Sequence, residues 1–408
     1  MKCVVSLVPL AMERDTRTIK IAASFARLGW RSVVAEAQPS RRRDHGPVEL
    51  LGLTFSRASA APPADRRPAA GRVSPWRQWL GERAHFLAFV VRYFVVLPLV
   101  ALWRVPRADL YYLHEYRLFP TVWLLRRLRR PVPFIYDAHD VYPEVWESGQ
   151  LSPFWRARFV PFLLAMERAC AREAAAVVTV GAGVAQAIGR WLSVSPVVLR
   201  NCHDDRLRQS PATTLRQQLG LGPEALLVAV IGHRKPGQAL EPLAAALAAL
   251  PAHLHVAFVG SFYEAEVAAL AERYGLTGRL HTPGPMASER MVGFVADADA
   301  SALLYWGHSS NTRYILPNGF FQAVAAGLPL LYPDLPELTG TIGCRKVGWC
   351  IDPRDRDSLE KALGELVESD QALRQSLRAE VAALAATLTW EGEEQVLSSL
   401  VRNVVKEG

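Results

Sequence analysis

Cysteine is scarce: five among 408 residues, Cys3, Cys170, Cys202, Cys344 and Cys350, with no Cys-x-x-Cys pair. An odd, scattered set gives no disulfide framework and no zinc-site spacing, and it favours a reducing, cytosolic compartment. A leader-like start is also missing. Met1 to Leu10 is a short apolar run met at once by Glu13, Arg14 and Asp15, without a basic n-region or a small-residue cleavage site. It reads as a first strand. No tandem repeat is visible, so a repeat array is not expected. Acidic residues are outnumbered, 39 against 47 Lys and Arg, for a net charge of +8. That balance favours anionic partners: phosphorylated substrates, anionic membranes or nucleic acid. The arginine clusters lack a helix-turn-helix, RRM or zinc-finger pattern, so nucleic acid is not expected.

What remains is a well-populated globular composition, with 50% hydrophobic and 21% charged residues. A chain of this length suits two domains of roughly 200 residues each. The first half alternates strand-like and helix-like runs: Val4–Pro9, a helical stretch Thr18–Leu28 stopped by Gly29, Arg31–Ala35, then strands Leu110–Leu113, Phe134–Tyr136 and Val177–Val180. Helical stretches at Thr121–Arg130 and Trp155–Ala174 separate these later strands. Strand, helix, strand in this spacing implies parallel pairing with right-handed crossovers. Residues 37–75, with Arg41–Arg43 and a Pro/Ala/Arg-rich tract, read as a surface excursion. The polar stretch Asn201–Pro211 is the expected linker. Alternation then restarts with Leu226–Ile231, Ala239–Leu250, Val256–Val259, Ala265–Tyr274, Ala300–Tyr305, Gly319–Ala326 and Leu328–Leu331, a second doubly wound sheet. The tail from Ser358 is helical, and its last helix starts near Trp390.

Ligands of open parallel sheets bind at the carboxyl ends of the strands. Three segments follow such ends. In Tyr305–Pro329, Pro317-Asn318-Gly319 opens a short helix. Asn318 suits an N-cap, Gly319 allows close approach of a ligand to the backbone, and the amides and dipole of this end favour phosphate. An ordinary capped helix packed on a sheet has the same local pattern. Second, Ile231-Gly232-His233-Arg234-Lys235-Pro236-Gly237 sets glycines beside two cations, which suits a diphosphate. The Walker spacing is absent there, and solvated loop charges are the bland alternative. Third, Tyr136-Asp137-Ala138-His139-Asp140-Val141-Tyr142-Pro143-Glu144 holds a histidine among carboxylates, and His114-Glu115 ends the preceding strand. Such histidines can donate, accept or move protons, or merely fix a loop. A metal would need more ligands than these, and none is expected.

Taken together, these separated segments resemble the retaining glycosyltransferases of family 4, which have the GT-B fold. The resemblance rests on Asp15-Thr16-Arg17 before the first helix, the Tyr136–Glu144 segment, Val259-Gly260, and Gly284 ahead of the helix leading to Ala298-Asp299. It continues through Leu316-Pro317-Asn318-Gly319-Phe320-Phe321-Gln322 with Ala325-Ala326-Gly327-Leu328-Pro329, and Trp390-Glu391. It implies an α/β chain of two doubly wound, Rossmann-like domains facing a cleft. Residues 1–200 would bind the acceptor, 201–385 the nucleotide-sugar donor, and 386–408 would form a helix crossing back to the first domain.

The resemblance also implies roles. His139 matches the family's cleft histidine near the transferred sugar, and Arg234 or Lys235 the cation facing the diphosphate; these three are the expected catalytic residues. Gly232, His233, Gly284, Tyr314, Pro317, Asn318, Gly319, Phe320 and Gln322 are the expected donor-binding set. Asp15, Arg17, His114, Glu115 and Asp140 are the expected acceptor-binding set. One departure is plain: many members carry two glutamates eight positions apart where this chain has Tyr314 and Gln322. Gln322 can still hydrogen-bond ribose hydroxyls, without charge; Tyr314 cannot replace a carboxylate.

The activity implied is transfer of a sugar from a UDP-, GDP-, ADP- or TDP-sugar to a glycan, lipid-linked or small-molecule acceptor, retaining and without a metal or other cofactor. No Asp-x-Asp pair stands convincingly at the diphosphate, so its charge falls to the helix start and the Arg234/Lys235 cations, with domain closure excluding water. A nucleotide-sugar epimerase of the same fold, using Glu115, Asp137 and Asp140, and a non-catalytic binding subunit are the alternatives. Finally, Ala84–Trp103 is almost wholly apolar, and Trp123–Arg130 mixes Trp, Leu and Arg. A buried core helix is the favoured reading of the first. The other is a helix dipping into a membrane interface with arginines on anionic headgroups, a peripheral placement on the inner face of the membrane.

Overall fold

The computed structural model describes residues 1–40, 46–53, 83–84, 86–148 and 153–406. The chain divides into two compact units. One comprises Met1–Thr179, Ala185–Leu199 and the chain from Glu394 onward; the other comprises Val180–Val184 and Arg200–Glu393.

In the first unit, seven strands form one parallel sheet: β1 (Cys3–Val8), β2 (Arg31–Glu36), β3 (Val48–Gly52), β4 (Leu110–Leu113), β5 (Phe134–Asp137), β6 (Ala176–Thr179) and β7 (Val197–Val198), in the order β3-β2-β1-β4-β5-β6-β7. All six residues of β1, Cys-Val-Val-Ser-Leu-Val, are buried, as expected of a strand covered by helices on both faces. The order reverses at β1/β4, so the loops after β1 and β4 open there. β3 corrects the reading of 37–75 as an excursion: Val48–Gly52 pairs with β2 along its whole length. Residues 41–45 and 54–75 of that excursion lie outside the described residues. The helix Trp390–Lys406 begins with the fully buried Trp390, whose N–H bonds the His203 carbonyl at 3.1 Å. From Glu394 it belongs to the first unit, where Ser24 Oγ and Arg27 Nε donate to the Glu394 carboxylate at 2.5 and 2.9 Å.

The second unit holds β8 (Leu226–Ile231), β9 (Leu254–Val259), β10 (Leu280–His281), β11 (Ala300–Ala302), β12 (Leu330–Pro333) and β13 (Gly348–Ile351), again parallel, in the order β10-β9-β8-β11-β12-β13. Side chains alternate across β8. Leu227, Ala229 and Ile231 pack with Phe320 and Val324, while Val228 and Val230 pack with Leu243 and Leu247. The short strands β7, β10 and β13 carry too little apolar length to announce themselves in sequence.

The apolar stretch is the second correction. Phe86–Arg104 is one helix of 19 residues, long and apolar enough by length and composition to cross a membrane, yet only 28% of its most apolar window is buried. It is therefore not a core helix. Tyr93, Leu97, Val100 and Ala101 face inward; Leu87, Val91, Val95, Leu99 and Trp103 are exposed.

Candidate functional site

In the second unit, glycines bring two strand ends and a helix start together. β8 ends at Ile231 and the chain turns through Gly232 at φ +118°. A methyl group on Gly260, just after β9, would stand 1.9 Å from the Gly232 carbonyl oxygen, and one on Gly319 would stand 2.3 Å from that of Ile231. Only glycine permits either approach. The room beside Gly319 is therefore taken by the end of β8, a correction to the idea that it is kept open for a ligand. The helix start is thereby held against the strand that leads into His233-Arg234-Lys235.

Asn318 is likewise not the N-cap. Pro317, extended at φ −70° and ψ 151°, precedes the helix Asn318–Ala325, and no side chain caps it. Proline has no N–H and fixes its own φ, which suits a chain entering a helix. Asn318 Oδ1 instead accepts from Asn201 Nδ2 at 2.5 Å. The dipole of this end thus stands without a capping side chain, next to a buried Phe320. Gln322, three residues further than Gly319, is buried and its Nε2 donates to Ser288 Oγ at 3.2 Å. Ser288 opens the helix Ser288–Val295 just after Gly284, which turns at φ +88°. Tyr314 lies on the Gly183 α-carbon, in the turn Val180–Val184 of the same unit.

The two cations differ. Arg234 Nε and Nη2 bond the Glu266 carboxylate at 2.6 and 3.1 Å, and its guanidinium also meets the Lys235 carbonyl. Lys235 is exposed, and its ammonium has no acidic partner among the described residues. His233 Nδ1 accepts the Ser261 N–H at 3.1 Å, which places the proton of the neutral ring on Nε2. Burial and the neighbouring Lys235 both lower its pKa below the ordinary value. Beside it stands Phe262, edge-on at 6.3 Å between ring centroids, 61% exposed and at φ +71°. Sequence reading missed Phe262; a backbone angle leaves no mark in residue order.

In the first unit, the loops after β1, β4 and β5 assemble a second cluster. Asp15 caps the helix Thr16–Arg27, accepting from the Arg17 and Thr18 amides and from Thr18 Oγ1 at 2.6 Å. Thr18 Oγ1 also lies 3.2 Å from His114 Nδ1. Burial opposes ionisation of Asp15, but the facing His114, the Thr18 hydroxyl and His139 hold its pKa below the ordinary carboxylate value. His114 itself is fully enclosed; burial outweighs Asp137 and Asp15 and pulls its pKa down to about 4. The ring is neutral at physiological pH, and its Nε2, like Nδ1 of the half-buried His139, has no hydrogen-bond partner. An unpaired buried nitrogen is costly unless a ligand supplies the missing bond.

Two expected acceptor residues are not available. Arg17 is turned inward, with Nε and Nη2 on the Asp137 carboxylate and Nη1 on the Leu199 carbonyl at 2.8 Å. Glu115 is buried against the Arg117 guanidinium. Asp140 remains half-buried. Among the described residues no three His, Cys, Asp or Glu side chains are placed to hold a metal.

Comparison with known proteins fits this geometry. Residues 15–202 match the family model described as a glycosyl transferase 4-like domain. No curated protein sequence matches the chain. Sucrose-phosphate synthase from Thermosynechococcus elongatus superposes with a TM-score of 0.68 at 17% identity, covering 100% of both chains. Anabaena HepE in complex with UDP-glucose gives 0.66 at 18%, covering 99% of this chain and 100% of its own. WaaG, a glycosyltransferase involved in lipopolysaccharide biosynthesis, gives 0.62 at 15%, covering 96% and 99%. The likeness to these structures shows the GT-B fold.

Proposed function

We propose that this chain, a glycosyltransferase by its family-4-like domain and GT-B fold, takes its sugar from a nucleoside-diphosphate donor bound on the second unit. The observation that carries this is the uncapped start of the helix Asn318–Ala325, held by Gly319 against the end of β8, where the Gly232–Lys235 turn begins. A departing diphosphate needs its developing charge met by fixed dipoles and cations. The helix start and Lys235 supply both, and Arg234 adds a cation already shared with Glu266. This reading has no metal in the reaction and retains the anomeric configuration. UDP-sugars are the first donors to test, because HepE was solved with UDP and UDP-glucose.

On the first unit, the orphaned nitrogens of His114 and His139 beside Asp15 are where sugar or acceptor hydroxyls would be received. A hydroxyl, donor and acceptor at once, matches a neutral imidazole whichever tautomer it adopts. The acceptor is a glycan or lipid-linked molecule, and the protein works in the cytoplasm.

The test is a thermal-shift screen with UDP-, GDP-, ADP- and TDP-sugars, followed by turnover assays with the donor that binds. Ligand at about a hundred times Kd stabilises by about 2.7 kcal/mol, a clear rise in Tm. A Lys235→Ala variant should lose most of the shift. Absence of a shift with all four nucleotides would refute the reading.

A further inference from the structure

We infer that the exposed face of the helix Phe86–Arg104 docks the first unit flat on an anionic lipid bilayer. The face is a continuous apolar stripe: Leu87, Val91, Val95, Leu99 and Trp103, four residues apart, with Leu99 50% and Trp103 88% exposed. On a regular α-helix of about 3.6 residues per turn such a series would drift by about 40° per step. Here Val91–Val96 is a π turn, which takes more residues per turn and reverses the drift. The stripe therefore stays on one side. The opposite face, with Tyr93, Leu97, Val100 and Ala101, is buried in the unit. A helix anchored along one face cannot stand across the membrane, so it lies in the interface plane.

Charge selects the occupant. Residues 83–108 contain Arg83, Arg92, Arg104 and Arg107 and no Asp or Glu, and residues 117–130 add five arginines without an acid. The second segment includes the helix Phe119–Leu128, which packs beside Leu97–Arg104 and exposes Trp123, with Arg127 over its ring at 5.6 Å. Arg92, Arg107, Arg127 and Arg129 have no acidic partner among the described residues. Arg92 and Arg129 donate to backbone carbonyls, which leaves their charge intact. An apolar stripe rimmed by uncompensated guanidinium groups and Trp matches anionic headgroups over acyl chains. A second copy of this chain would bring like charges together around the same stripe.

The experiment is flotation of the full chain with vesicles of phosphatidylcholine alone and of phosphatidylcholine with phosphatidylglycerol in equal parts. Binding should be at least about tenfold stronger to the anionic vesicles and should weaken with salt. Val95→Asp with Leu99→Asp should reduce it by at least about tenfold, and Arg107→Ser with Arg127→Ser should abolish the preference for anionic lipid. All four positions are exposed on helices or loops, so Tm and the nucleotide-induced thermal shift should stay as in the wild type; the shift reports the donor site independently. Equal flotation of wild type and the Val95→Asp/Leu99→Asp variant would overturn the inference. So would a wild-type dimer in solution that the same substitutions dissociate.

Discussion

Arg17 and Asp137 meet through two hydrogen bonds, Nε to Oδ2 at 2.7 Å and Nη2 to Oδ1 at 3.0 Å, with both side chains withdrawn from solvent. Their union fastens the helix Thr16–Arg27 to the end of β5, and Tyr112 Oη adds a third bond to the same carboxylate at 3.0 Å. Removing one partner strands a buried charge, which costs about 3–5 kcal/mol. Arg17→Met should therefore lower stability by that order in urea unfolding. Arg17→Met with Asp137→Leu should cost less than the sum of the single substitutions. Additive losses would mean that the pair is not coupled.

The pH dependence follows from the same cluster. His114 titrates at about 4 in the folded chain against an ordinary 6.5, because burial disfavours its charged form. Between those values the unfolded chain takes up a proton that the folded one refuses, so stability falls as pH drops from about 6.5 towards 4. The full difference corresponds to about 3 kcal/mol at about 1.36 kcal/mol per unit. Asp137 adds to the loss at lower pH. Burial raises its pKa, but Arg17 more than compensates, so the folded value lies below the ordinary one and its contribution disappears as acid protonates it. The urea midpoint should decline on acidification from pH 6.5, and His114→Gln should flatten the upper part of that decline. An identical slope in the variant would refute the assignment.

The alternation of buried strands and helices in the sequence was enough to read two parallel sheets, because residues covered on both faces must be apolar throughout. Long-range pairing was not legible. Arg17 reads in sequence as an acceptor-binding residue, but β5 brings Asp137 beside it, 120 positions away, and turns it inward. Pro317, with its extended backbone, holds the position before the helix, and the Asn318 side chain is engaged by Asn201, far off in the chain. Gly319 suggested close approach, and close approach is what the structure shows, but to Ile231. Composition could not tell a buried apolar helix from an exposed one: Phe86–Arg104 has apolar residues on both faces, and only the packed unit distinguishes them.

The unequal setting of the two cations predicts unequal mutants. Lys235 is free to meet a diphosphate, whereas Arg234 divides its charge with Glu266. Lys235→Ala should lower kcat by about a hundredfold, the scale of one lost transition-state donor, with Tm unchanged. Arg234→Ala should lower it less, and should remove a half-exposed ion pair worth at most about 1 kcal/mol. Single-turnover rates at saturating donor would decide. A larger loss for Arg234→Ala would reverse the assigned roles.

Phe262 offers the sharpest separation of stability from binding. A bulky side chain at φ +71° is strained, by about 1–3 kcal/mol, and this ring is mostly exposed, so little packing repays it. Phe262→Gly relieves the strain while making the unfolded chain more flexible, which returns about 0.5–1 kcal/mol. The net effect should be a modest gain, a rise in Tm of about 1–3 °C for a chain of this size. Strain of this kind persists where the side chain has a task, and here the ring stands beside His233 at the strand ends where the nucleotide would lie. The same variant should therefore bind nucleotide several-fold more weakly as it gains stability. Calorimetric unfolding and nucleotide titration on one preparation would read both changes; a gain in stability with undiminished binding would leave the strain without a ligand to serve.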